Sequence, residues 1–169
     1  MFDVERIDAP NKREFYEQLN KYLEGLVGEE ADWLAGISNA SALLYLLMPD
    51  INWAGFYIYK GGRLVLGPFQ GRPACTYIEM GKGVCGTAAK TRRIQVVEDV
   101  SRFPGHIACD ARSQSEIVVP IIKDERLIGV LDIDSPATAR FDGEDAEGLE
   151  DFVHILNRHI AWPEELGVG

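Results

Sequence analysis

The chain has 169 residues, with 17 Lys and Arg against 27 Asp and Glu for a net charge of −10, and 46% of its residues are hydrophobic. That composition can bury a core of its own and excludes disorder; the acidic balance argues against a partner read through nucleic-acid phosphates and suits a small or cationic ligand. No apolar stretch approaches the roughly 18 residues of a membrane span, and the charged opening MFDVERIDAPNKREF is unlike a signal peptide, so a cytoplasmic protein without a membrane partner is expected.

The first third reads as helix. Phe15, Leu19, Tyr22, Leu23 and Leu26 recur at helical spacing, as do Trp33, Ile37, Ala40, Leu44 and Leu47. Gly25 and Gly28 mark a break between the two, and Pro49 ends the second. From Asn52 the pattern changes: NWAGFYIYK reads as a strand, Gly61 and Gly62 as a hairpin turn, and RLVLGPF as the returning strand. Pro68, Gly71, Pro73, Gly81 and Gly83 predict an irregular loop over 68–83. GVCGTAAKTRR predicts a short helix, IQVVEDV a strand and RFPGHIACDARSQ a loop, before two more strands, SEIVVPII and RLIGVLDID, around a polar turn. Asp142 caps a last helix with Leu149, Phe152, Val153, Leu156 and Ile160 on its inner face. Strands without regular βα alternation between helical ends predict an α+β domain, a central antiparallel sheet flanked by N- and C-terminal helices. One domain over 1–169 is expected, with helices in 1–50, sheet and loops in 51–140 and a helix in 141–162.

Three cysteines, Cys75, Cys85 and Cys109, in a chain with no export signal argue against a disulfide framework. Their spacings of 10 and 24, with no CxxC and no HExxH, offer no zinc signature. Inert buried thiols or redox chemistry remain.

Trp53, Gly55 and Tyr57 share one face of a strand, where the glycine between two aromatics leaves a notch for an apolar group or a cation; equally, both aromatics could simply be core. Asp132 and Asp134 lie in the most apolar strand, on one face and roughly 7 Å apart, either as a buried pair in which one pKa rises or as the strand's solvated end. With Lys123 opposite Leu127, Glu116 falls opposite Asp134 and Val118 opposite Asp132, so three carboxylates share a face. A slip of one residue sets Glu116 opposite Ile133 instead, and the turn DER has no glycine to fix the register. Three converging carboxylates repel one another and suit a cationic ligand or proton transfer. Cys109 sits in the loop just upstream, where His106 could lower its pKa and the acids would raise it; Cys75 and Cys85 are candidate resolving thiols.

The segments GPFQGRPAC, GKGVCGTAA, FPGHIACDARSQSEIVVP and IGVLDIDSP, in that order, strongly resemble the free methionine-(R)-sulfoxide reductases, which are single GAF domains. The resemblance runs from about Asn52 to Phe141 and takes in all three cysteines. It implies that Cys109 attacks the sulfoxide sulfur and becomes a sulfenic acid, that Cys75 is the main recycling thiol, and that Cys85 is a third cysteine of second rank. It further implies that Trp53 and Tyr57 surround the substrate's methyl end, and that Glu116, Asp132 and Asp134 hold the amino group and assist the sulfoxide oxygen. Glu98 and Ser101 depart from the family's proline and histidine, at positions without a catalytic role. Thiolate attack on a sulfoxide needs a proton on its oxygen, so an acid of raised pKa is expected nearby. Hairpin geometry assigns Asp132 to that oxygen, and Glu116 and Asp134 to the substrate ammonium. The implied activity is thiol-dependent reduction of free L-methionine-(R)-sulfoxide through an intramolecular disulfide, reopened by thioredoxin or a similar dithiol, without metal or cofactor. A homodimer through the N-terminal helices is implied as well. The alternatives are a non-catalytic GAF sensor of a small ligand, for which 169 residues leave no room for an output domain, and a thiol redox switch without a substrate.

Overall fold

The computed structural model describes residues 3–28, 32–107 and 109–167. Six strands form one antiparallel sheet in the order β3-β2-β1-β6-β5-β4, where β1 is Trp53–Lys60, β2 Arg63–Gly71, β3 Tyr77–Glu79, β4 Gln95–Val97, β5 Ser115–Lys123 and β6 Arg126–Ser135. Helices α1 (Lys12–Val27), α2 (Trp33–Leu47) and α4 (Gly143–His159) cover one face, and the short α3 (Gly83–Thr91) lies on the other.

Strand periodicity divides the side chains between these faces. Ala54, Phe56 and Ile58 of β1, Ile117, Val119 and Ile121 of β5, and Leu131 and Ile133 of β6 join the helix-side core with Leu19, Leu23, Ile37, Leu44, Phe152 and Leu156. The intervening residues Trp53, Tyr57, Val118 and Val130 face α3. Nine residues of helix cannot cover a six-stranded sheet, so loops close the rest of that face.

Polar anchors fix the helix side. Asp142 and Asp145 complete a reciprocal capping box at the start of α4. The buried Asp145 carboxylate also accepts hydrogen bonds from Tyr16 at 2.7 Å and Lys12 at 2.6 Å, with Arg140 at 3.4 Å. These contacts tie α4 to α1. Their close approach needs Gly148, where an added Cβ would stand 2.2 Å from the Tyr16 ring.

Some expectations need correction. Gly25 lies inside α1, and only Gly28, at φ 58°, ends it. The segment 68–83 is not all loop: β2 runs on to Gly71, and Tyr77–Glu79 adds an edge strand. The strand expected over IQVVEDV is only Gln95–Val97, because Asp99 accepts from the Ser101 amide and starts a 3-10 turn over Val100–Arg102.

The β5–β6 hairpin is the most informative correction. Lys123 pairs with Arg126, not with Leu127, across a two-residue turn in which Asp124 and Glu125 both take positive φ, 51° and 64°. This is the turn geometry that matches strand twist, reached here without glycine. A bulge follows, since Ile122 pairs with Leu127 and Ile121 with Gly129. The extra residue restores the register that a looser turn would have produced. Glu116 therefore lies opposite Asp134, and Val118 opposite Asp132.

Candidate active site

The cleft on the α3 side is floored by a grid of three adjacent strands. One row across β1, β6 and β5 reads Trp53, Asp134, Glu116, and the next reads Gly55, Asp132, Val118. Asp134 thus stands between an aromatic ring and a carboxylate. Asp132, one pleat further in, has on its two sides residues with no polar side chain.

The notch expected at Gly55 is filled. A Cβ at Gly55 would meet the Phe69 Cβ at 2.3 Å, and the Phe69 ring stacks on Trp53 with centroids 5.2 Å apart. Trp53 and Tyr57 stack in turn at 6.0 Å. Phe69, which backs Trp53 without lining the cavity, is a supporting residue that sequence reasoning missed. The signal available was its place in a strand paired with β1, opposite the only small residue on that face.

α3 supplies one wall. Its Cys85 is buried and free, with Sγ 3.8 Å from Glu116 Oε1 as a thiol donor. The rim is made by two loops joined covalently: Cys75 and Cys109 form a disulfide with Cα atoms 5.5 Å apart. Cys109 lines the cavity with Trp53, Tyr57, Cys85, Glu116, Asp132 and Asp134, whereas Cys75 lies behind it. All eight residues singled out from the sequence therefore meet at one place. With the bond closed, ≈ 40 Å³ remains for the centres of water-sized molecules.

The electrostatics are adverse by construction. Among the described residues, none of the three carboxylates forms an ion pair, and Asp132 Oδ1 is buried without a hydrogen-bond partner. Oxygens of Glu116 and Asp132 and the Cys85 sulfur all lie within 4.8 Å of one another. At that separation two charges repel by about 3 kcal/mol in an effective dielectric of ~20. Burial, then the Asp134 charge, pushes Glu116 up to about 8. Burial, then Glu116, pushes Asp132 well above the usual carboxylate range; burial, then Asp132, does the same to Asp134. The cluster thus holds protons at neutral pH. Burial also raises the Cys85 thiol and the Tyr57 phenol, so both stay protonated. His106 lines the same cavity, but burial lowers its pKa, and the neutral ring does nothing to acidify Cys109.

Chemically, the cleft offers a cysteine pair at its mouth, a protonated acid deep inside, an aromatic wall, and an excess of acceptors for a cation. Cys85, Glu116 and Asp132 are also the one set of donors, among the described residues, close enough to hold a metal ion.

A family model described as the GAF domain matches residues 29–160. The free methionine-R-sulfoxide reductase of Escherichia coli (strain K12) is 52% identical over 151 residues, 89% of this chain and 92% of that protein. The structure of fRMsr of Staphylococcus aureus in complex with substrate superposes with a TM-score of 0.84 at 51% identity, covering 94% of this chain and 100% of that one. The free methionine-R-sulfoxide reductase of Neisseria meningitidis in complex with its substrate superposes with a TM-score of 0.89 at 42% identity, over 94% and 95% of the two chains.

Proposed function

The chain belongs to the free methionine-(R)-sulfoxide reductases, a family of GAF domains, and from that premise we propose that it reduces free L-methionine-(R)-sulfoxide to L-methionine as a single GAF domain over 1–169. The observation that carries the reading is the pairing of Cys109 with Cys75 at the mouth of a cleft whose floor holds three carboxylates that form no ion pair among the described residues.

In the reduced protein, the Cys109 thiolate attacks the sulfoxide sulfur while Asp132 gives its proton to the oxygen. A bond forms between the two sulfurs; the hydroxyl then passes to the Cys109 sulfur as the substrate's sulfur–oxygen bond and that new sulfur–sulfur bond both break, which releases methionine and leaves Cys109 as a sulfenic acid. Asp132 suits this task because burial and its neighbours keep it protonated where a solvated aspartate would be ionised. Glu116 and Asp134 take the substrate ammonium, a cation that relieves their repulsion. Inside a peptide that ammonium is an amide, which explains a preference for the free amino acid. Trp53 and Tyr57 pack the methyl end.

Cys75 then displaces the sulfenic oxygen as water and closes the disulfide, and thioredoxin or a similar dithiol reopens it by exchange. Cys85, buried and protonated, is held as a reserve thiol. A second copy of the chain seats on α2, a helix apolar on nearly all sides that leaves Leu34, Tyr45 and Leu46 exposed.

The decisive experiment gives the reduced protein one equivalent of each epimer, free and peptide-bound, and measures methionine. Turnover of the free R epimer is expected, with none by Cys109→Ser and a single stoichiometric burst by Cys75→Ser in the presence of thioredoxin. Ligand binding without methionine formation would make the chain a sensor. Methionine from Cys109→Ser would remove Cys109 as the nucleophile.

A further inference from the structure

Cys75 lies between the end of β2 at Gly71 and the start of β3 at Tyr77, in a segment with little regular structure of its own. Three hydrogen bonds tie this segment to the strands. The Leu66 amide donates to the Thr76 carbonyl at 3.0 Å. The Trp53 indole Nε1 donates to the Arg72 carbonyl at 3.1 Å, and the Tyr57 hydroxyl donates to the carbonyl of Cys75 itself at 2.9 Å. Both side-chain donors stand on one face of β1. Gly71 lets the chain leave β2 directly over the indole, since a Cβ there would stand 2.7 Å from Trp53 Cδ1.

We propose that Tyr57, seconded by Trp53, is a positioning residue for the recycling half of the reaction, holding the backbone of Cys75 so that its sulfur meets Cys109. This rests on the reading that Cys109 passes through a sulfenic acid. In the step concerned, the Cys75 sulfur attacks the Cys109 sulfur, an S–S bond forms, the S–O bond breaks, and the departing hydroxide takes up the Cys75 proton as water. The two rings that wall the cavity therefore also carry the loop that regenerates it. Cys75 does not line the cavity and has no need to touch substrate; what it needs is a fixed distance from Cys109, and a loop swinging free would lose effective concentration. The Tyr57 phenol is a dependable donor for this purpose, because burial and the neighbouring carboxylates keep it protonated.

The test times disulfide closure directly. Reduced protein is oxidised with one equivalent of hydrogen peroxide, which converts the Cys109 thiolate to the sulfenic acid with release of water. Dimedone trapping and mass spectrometry then follow sulfenic acid against disulfide. Peroxide bypasses the sulfoxide, so failure of the reductase reading, seen as no methionine from the wild-type chain, is scored in a separate assay. Tyr57→Phe, which keeps the ring and deletes one donor, is expected to slow closure about 2- to 10-fold and to raise the trapped fraction accordingly. Trp53→Phe is expected to act in the same direction. In a Cys75→Ser background, Tyr57→Phe should leave the trapped fraction unchanged, because the loop it holds no longer carries a thiol. Closure at the wild-type rate in both variants, or a Tyr57→Phe effect that persists without Cys75, would overturn the proposal.

Discussion

Asp145 and Asp132 lie on opposite sides of the same sheet and are almost equally inaccessible, at 1% and 5% exposure. Their surroundings differ in kind. Asp145 has Lys12, Arg140 and Tyr16 on its oxygens and caps its own helix, so every unit of charge has a counterpart. Asp132 faces two other carboxylates and a thiol, and one of its oxygens has no partner. A buried carboxylate with its cations beside it secures a fold. A buried carboxylate among its own kind is tolerated only where something else, a proton or an incoming ammonium, completes it. The comparison predicts that the two aspartates separate activity from stability in opposite senses.

The largest effect is expected at Asp132. Asn in its place cannot donate an acidic proton, and single-turnover sulfenic-acid formation should slow by roughly 10²–10⁴-fold, while urea unfolding shows no loss of stability. A normal chemical step in Asp132→Asn together with a lost one in Asp134→Asn would exchange the two roles. Asp145→Ala should show the reverse pattern. It strands Lys12 and Arg140, so urea unfolding should report a loss of about 3–5 kcal/mol, with turnover per folded molecule unchanged. Asp134→Asn should lie between them, raising KM by the loss of one charge-assisted contact worth about 1.5–3 kcal/mol, with a smaller change in kcat.

The remaining effect expected is one of slope. Glu116 is raised from 4.5 to about 8 in the folded chain, by burial and then by Asp134. The native state therefore binds the proton more tightly than the unfolded chain does. The stability from this group is full below its unfolded value and is lost as pH rises through its folded one. The urea midpoint should fall across that window, and Glu116→Gln should flatten the fall. A midpoint that rises with pH in the wild type, attributable to Glu116, would reverse the sign and place a cation beside it.

Much of this could be read from the sequence, though not always for the right reason. The three long helices, the four long strands and the cap at Asp142 follow from periodicity and local chemistry, which act within a few residues. The pairing of Glu116 with Asp134 also follows, but through two errors that cancel. The turn is one residue tighter than Lys123 opposite Leu127 would make it, and the bulge beyond Ile122 returns the missing residue. No local signal announces that bulge, because it is selected by packing on both faces of β6. The edge strand Tyr77–Glu79 is hidden by the glycines and prolines around it, and Phe69 fills the notch at Gly55 from a strand whose register a sequence does not state. Motif resemblance singled out Cys75 and Cys109, whereas periodicity is silent on loops. Only the folded chain shows that their sulfurs meet at the rim, where Cys109 lines the cavity together with Cys85 and Cys75 does not.

The bond between Cys75 and Cys109 spans 34 residues, and that span contains the whole of α3 with Cys85. Closing a loop of this size restricts the unfolded chain and stabilises the folded one by roughly 3–4 kcal/mol in the chain-entropy view. Oxidised and reduced molecules are therefore expected to open to proteases at different rates. On the proposed cycle, scarce reductant would leave the protein in its more durable form and plentiful reductant would leave it in the one more readily degraded. Its lifetime then records the supply of electrons, and limited proteolysis of the two forms side by side reads that record.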